Sequence, residues 1–162
     1  EDYYRAIDKL RAARPDVEFS SDFIIGYPNE TDEQFAETIK LIEDVKFSLS
    51  YSFIYSARPG TRAALIDDNV PKDIKTARLK TLQNLLEGQM RDHLNNKVGK
   101  TLPVLVNRKG KFEGHFVGFT PYMQPVIIEN ADAHFNQIID VNIIDSKERA
   151  LVGELLKNQK AA

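Results

Sequence analysis

Ser20-Ser21-Asp22-Phe23-Ile24-Ile25-Gly26-Tyr27-Pro28-Asn29-Glu30-Thr31 reads as a strand, a tight turn and the first residue of a helix. Phe23-Ile24-Ile25 is continuously apolar, which suits a strand buried on both faces of a parallel sheet. Gly26 allows a positive φ and lets a ligand approach the backbone, Pro28 stiffens the turn, and Asn29 tolerates a left-handed conformation. Thr31 and Gln34 form a capping box, and Asp32 and Glu33 meet the positive end of the helix dipole. A strand that stops at a glycine and feeds a helix N-terminus often holds an anion. On residue types alone, the plainer reading is a capped turn with no ligand.

Outward from this corner, residues 2–14 read as a helix with Tyr3, Ile7, Leu10 and Ala13 on one face, ended by Pro15. The helix that starts at Thr31 runs to about Val45, with Phe35, Ile39, Ile42 and Val45 as its core stripe. Leu49 to Tyr55 follows as a second strand. Strand, helix and strand with short connections predict a right-handed βαβ unit with parallel strands. Two parallel strands leave open edges, so this half reads as a slice of a larger α/β sheet or barrel, or as one closed by a partner.

A turn-rich loop spans residues 57–70, and Asp68 or Asn69 is placed to cap a helix beginning at Pro71. That helix runs to about Asn95, with Ile74, Leu79, Leu82, Leu86 and Met90 on an apolar face. Lys72, Lys75, Arg78, Lys80 and Arg91 make the remainder basic. From Lys100 the pattern turns to five short strands, Leu102–Asn107, Glu113–Phe119, Pro125–Glu129, Ile138–Ile144 and Ala150–Leu155. Turn residues separate them, which predicts a small OB-like barrel. Residues 158–162 read as a frayed tail.

The 162 residues are 42% hydrophobic and 28% charged with net charge −2, an ordinary globular balance. The first seventy residues are acidic and the rest mildly basic, which suggests two units. With no cysteine, disulfides and thiolate metal sites within the chain are excluded, and His93, His115 and His134 show no ligand spacing. No leader or membrane-length apolar run is visible, so the cytoplasm is the expected location and no membrane partner is expected. The chain opens at Glu1 inside a predicted helix, which predicts that more polypeptide precedes it.

Two further clusters carry chemistry. In Tyr55-Ser56-Ala57-Arg58-Pro59-Gly60-Thr61, Arg58 suits a carboxylate or phosphate, and equally suits pairing with a nearby acid. In Arg108-Lys109-Gly110-Lys111-Phe112, with His115, Phe116 and Phe119 following, positive charge beside aromatics suits a nucleic-acid backbone and stacked bases. The alternative there is a solvated hairpin tip above a barrel core.

The runs Ser21–Thr31 and Tyr51–Thr61 resemble the late barrel strands of the radical SAM methylthiotransferases, and in particular the tRNA-modifying branch. The branch acting on a ribosomal protein lacks the Arg58-Pro59 pair. Residues 100–156 resemble the TRAM domain, a small RNA-binding barrel. Asn29 stands where the family usually has Gly, and Arg62 where it usually has Pro. The resemblance implies three parts and a tail. Residues 1–70 form the C-terminal part of a radical SAM (βα) partial barrel, residues 71–96 a linking helix, and residues 97–157 the five-stranded TRAM barrel.

It also implies S-adenosyl-L-methionine as cofactor, with Asp22, Ile24, Gly26, Glu30, Tyr55, Ser56 and Arg58 contributing to its pocket. Two [4Fe-4S] clusters would be ligated by cysteines from an N-terminal part of the same enzyme, so these residues alone would be inactive. The implied partner is tRNA at adenosine 37 of the anticodon loop, contacted by Arg62, Arg108, Lys109, Lys111, Phe112 and His115. The implied reaction adds a methylthio group to C2 of N6-dimethylallyl adenosine. Alternatives are a stand-alone RNA-binding adaptor, or methylthiolation of threonylcarbamoyl-adenosine tRNA or a ribosomal protein.

Overall fold

The computed structural model describes residues 2–156, so the expected tail, residues 158–162, lies outside the described residues. The chain divides into two compact units, one running to Gln89 and the other starting at Met90.

The first unit contains helix α1 (Asp2–Ala13), strand β1 (Ser20–Ile25), helix α2 (Asp32–Val45), strand β2 (Leu49–Ile54) and a 3-10 turn at Arg62–Leu65. Helix α3 (Lys72–Asn95) contributes its residues up to Gln89. β1 and β2 pair in parallel from Ser20↔Leu49 to Ile25↔Ile54, as the βαβ pattern predicts. Both halves of the capping box form at α2. Thr31 Oγ1 accepts from the Gln34 N–H at 3.3 Å, and Gln34 Oε1 accepts from the Thr31 N–H at 3.1 Å. At the other end Lys46 is left-handed, with φ 55°. The Gln89 amide donates to Ile42 O at 2.7 Å and accepts from Phe47 N–H at 3.0 Å, so α3 ties down the exit from α2.

Ile7, Phe23, Ile25, Ile42, Val45, Phe47, Leu82 and Leu86 form this unit's core, with Phe23 and Phe47 edge to face at 5.3 Å. Full burial of each such side chain contributes about 1.5–3 kcal/mol over exposure. The expected stripe of α1 is corrected: Ile7 alone is buried, while Tyr3 and Leu10 are exposed. α1 relies instead on polar ties, Tyr4 Oη donating to Asp44 at 2.9 Å and Arg11 to Val45 O at 2.5 Å. The expectation that β1 is buried on both faces is also corrected within this chain. Phe23 and Ile25 lie in the core, but Ile24 is 61% exposed because nothing among the described residues covers that side.

In the second unit, strands β3 (Thr101–Lys109), β4 (His115–Phe119), β5 (Pro125–Glu129), β6 (Gln137–Lys147) and β7 (Ala150–Leu155) close into a barrel in the order β3-β4-β5-β7-β6. Closure removes every sheet edge. β5 and β7 pair in parallel and the other neighbours are antiparallel. The inward set includes Val104, Val106, Phe116, Val126, Ile128, Val141, Ile143 and Leu151, and Leu94 from the end of α3 packs on it. Gly118 and Gly153 take inward positions where a Cβ would strike Val104 and Val141 respectively, so both are needed to close so small a barrel. β4 begins at His115, two residues later than expected, because Gly114 turns the chain at φ +75°. No described helix is long and apolar enough to cross a membrane.

Candidate functional site

The corner after β1 is built as its sequence suggests, and closed by residues the pattern had placed in solvent. Gly26 has φ +67° and Asn29 φ 66°. The Gly26 N–H donates to Glu30 Oε2 at 2.8 Å, and Arg78 Nη1 donates to the same oxygen at 2.7 Å. Arg78 Nη2 reaches Asp32 Oδ1 at 2.6 Å, and its guanidinium lies 5.4 Å from the Phe35 ring centre. Burial alone would lower the Arg78 pKa, but the bonds to Asp32 and Glu30 outweigh it and the pKa is raised. Asp68 and Asn69 serve this corner rather than capping α3. Lys75 Nζ donates to Asp68 at 2.5 Å, and Asn29 N–H donates to Asn69 Oδ1 at 2.9 Å.

Two expectations change. Lys75 and Arg78 are buried, not part of a solvated basic face, because Asp68, Glu30 and Asp32 wait for them. The space beside Gly26 is filled by Lys75, whose Cγ lies 2.6 Å from where a Cβ would stand, and not left for a ligand. The α2 N-terminus is capped by Thr31 and ion-paired through Asp32 with Arg78.

The sheet face away from the core is different. The register sets Asp22 beside Tyr51 and Ile24 beside Phe53. Tyr51 is 60% and Phe53 52% exposed, while Ser50 and Ser52 occupy the alternate positions. Large apolar residues on an uncovered face, with small serines alternating, mark a surface built to be covered. Just past β2, Tyr55 packs edge to face on Tyr27 at 5.2 Å, and its phenol oxygen is buried with no hydrogen-bond partner among the described residues. Ser56 and Arg58 are exposed, and among the described residues no carboxylate pairs with Arg58. Arg62, at the start of the 3-10 turn, is also exposed and belongs to this unit, not to the barrel.

In the second unit, Arg108 and Lys109 end β3, and the loop from Gly110 carries Lys111 and Phe112 before His115 opens β4. The Arg108 guanidinium lies 5.6 Å from the Phe119 ring centre, and Lys111 Nζ 5.9 Å from that of Phe112. Phe112 is 63% exposed and meets His115 edge to face at 5.5 Å. His115 Nε2 is 3.5 Å from Glu129. Only Phe116 of the aromatic run is buried, so the hairpin presents cations and rings outward. Lys111, Phe112 and His115 converge on a groove of about 800 Å³ on the outer barrel wall, which Arg108 and Lys109 do not line.

Tyr51, Phe53, Lys75 and Arg78 were not singled out from sequence. The Ser-aromatic alternation of β2 was the available signal for the first two. Periodicity held none for the buried cations. Among the described residues no cluster of His, Asp or Glu could hold a metal.

The family model described as the TRAM domain matches residues 95–156. The tRNA-2-methylthio-N(6)-dimethylallyladenosine synthase of Wolbachia pipientis subsp. Culex pipiens (strain wPip) is 44% identical over 155 residues, covering 94% of this chain and 35% of that protein. The protein of the same name from Ehrlichia ruminantium (strain Gardel) is 46% identical over 155 residues, with coverage of 94% and 35%. That from Rickettsia canadensis (strain McKiel) is 46% identical over 156 residues, with coverage of 96% and 35%. The chain thus spans about a third of the length of the curated relatives it matches. By sequence, the chain carries a match to the TRAM domain and is similar over nearly its whole length to proteins named tRNA-2-methylthio-N(6)-dimethylallyladenosine synthase.

Proposed function

We propose that this chain is the C-terminal portion of a tRNA methylthiotransferase acting at C2 of N6-dimethylallyl adenosine 37. On this reading, residues 1–70 belong to a radical SAM partial barrel, residues 71–96 link, and residues 97–157 grip the tRNA. The observation that carries it is the 44–46% identity over nearly the whole chain to proteins bearing that name. On the same reading the protein works in the cytoplasm, where tRNA is found.

The residues present suit S-adenosyl-L-methionine in part. Ile24, Tyr51 and Phe53 offer an uncovered apolar face, Asp22 borders it, and the Tyr55 phenol lacks a partner. Ser56 and Arg58 follow on the same strand end, and Arg58 suits the methionyl carboxylate. Gly26 and Glu30 do not suit direct contact, because their polar groups already bond each other and Arg78. They hold the strand end that the other residues occupy. When bound, S-adenosyl-L-methionine supplies the radical and the methyl group. Iron–sulfur clusters take thiolate ligands, and the chain has no cysteine, so both [4Fe-4S] clusters rest on residues outside it.

Nucleoside analysis tests this. Disrupting the gene should remove 2-methylthio-N6-dimethylallyl adenosine from cellular tRNA and leave the N6-dimethylallyl precursor in its place. Loss of a threonylcarbamoyl derivative instead, with this nucleoside intact, would move the assignment to the other tRNA target.

A further inference from the structure

The groove beside the basic hairpin has an order that the sequence motifs do not reveal. The pairing sets Val117 opposite Ile127, and Ile127 opposite Val152, which makes an apolar row across β4, β5 and β7. Two residues along, His115 pairs with Glu129, and Glu154 occupies the next position of that row on β7, held by Asn142 at 2.8 Å. Lys147 lies in the register of Ala150, beyond the apolar row on the side away from the carboxylates. Phe112 stands over the polar end with its ring exposed.

The geometry points to a site for one unpaired nucleotide whose base carries an exocyclic amine, with Glu129 reading that amine. This rests on the barrel binding RNA and goes beyond it by assigning where a base sits and which bases fit. The apolar row suits a base face, and Phe112 adds a stacking surface. Carboxylates repel phosphate, so the backbone lies toward Lys147, at the end of the apolar row away from them. A carboxylate accepts from the exocyclic amine of cytosine or adenine, whereas uracil has no such amine and flanks its one imide N–H with two carbonyl oxygens that a carboxylate repels. A volume of about 800 Å³ is within the range of small-ligand sites and admits a nucleotide.

The test is fluorescence anisotropy of the whole 162-residue chain with labelled oligocytidylate and oligouridylate of about nine nucleotides, at one fixed salt concentration. Oligocytidylate should bind at least about fivefold tighter. Glu129→Gln should bring that ratio close to one, because an amide both donates and accepts. Phe112→Ala should weaken oligocytidylate about tenfold. Both side chains are exposed, so neither change threatens folding. Equal binding of the two oligomers, unaffected by either variant but still weakened by salt, would overturn the nucleotide site and leave RNA binding by the barrel intact. No binding of either oligomer at low salt would overturn both. A concentration-dependent dimer abolished by Phe112→Ala, with RNA affinity unchanged, would give the groove to a second copy of the chain and also overturn the proposal.

Discussion

Arg78 carries a full charge into the first unit at 7% exposure, compensated by Asp32 at the surface and by Glu30 as its buried partner. Removing one member of a buried pair leaves the other charged and unpaired, at a cost of about 3–5 kcal/mol. Arg78→Ala should therefore destabilise the chain by about that amount in urea denaturation, and a loss under about 1 kcal/mol would show that the corner stands without it. Arg58, exposed and without a carboxylate partner among the described residues, predicts the opposite behaviour. In the full-length enzyme, Arg58→Ala should leave stability and tRNA affinity unchanged and weaken S-adenosyl-L-methionine about tenfold or more by calorimetry. The two residues also mark the reach of sequence reasoning. Gly26 and Asn29 were legible because positive φ restricts residue type. Arg78 was not, because its burial depends on acids 46 and 48 positions away that periodicity cannot see.

β2 turns Tyr51 and Phe53 away from the helices and Ser50 and Ser52 toward them, which is why an alternation that looks like a strand with its greasy side inward is inverted here. The period told that a strand exists, and could not tell which face the helices cover. The barrel strands were more legible, since each alternates and is bounded by a turn, and closure leaves only one inside. Gly118 tests that closure. An added Cβ would meet the Leu105 carbonyl oxygen at 2.7 Å, a backbone atom that cannot swing aside. Gly118→Ala should cost about 1–3 kcal/mol, while Gly88→Ala, with open space at that position, should be neutral or stabilising. Equal effects at the two glycines would mean that the barrel is not packed as described.

Across the whole molecule the charge is −2, which offers no general attraction to RNA, so any grip has to be local. The second unit gathers Arg108, Lys109, Lys111 and Lys147 around its outer wall, and about four phosphate contacts to single-stranded loop RNA imply a slope of log affinity against log salt near −3. The order of the main helices and strands was readable from pattern, whereas the boundary at Gln89 and Met90 was not, because composition shifts near residue 70 while α3 packs with the first unit, and the groove was not, because it exists only once β5 and β7 lie side by side. The most direct test is titration of the 162-residue chain with an anticodon stem-loop RNA over a range of salt concentrations. The account predicts tight binding at low salt, a slope near −3, and a shallower slope by about one to two when Lys109 and Lys111 are both changed to Gln. Absent binding at low salt, or affinity indifferent to salt and to those two lysines, would contradict it.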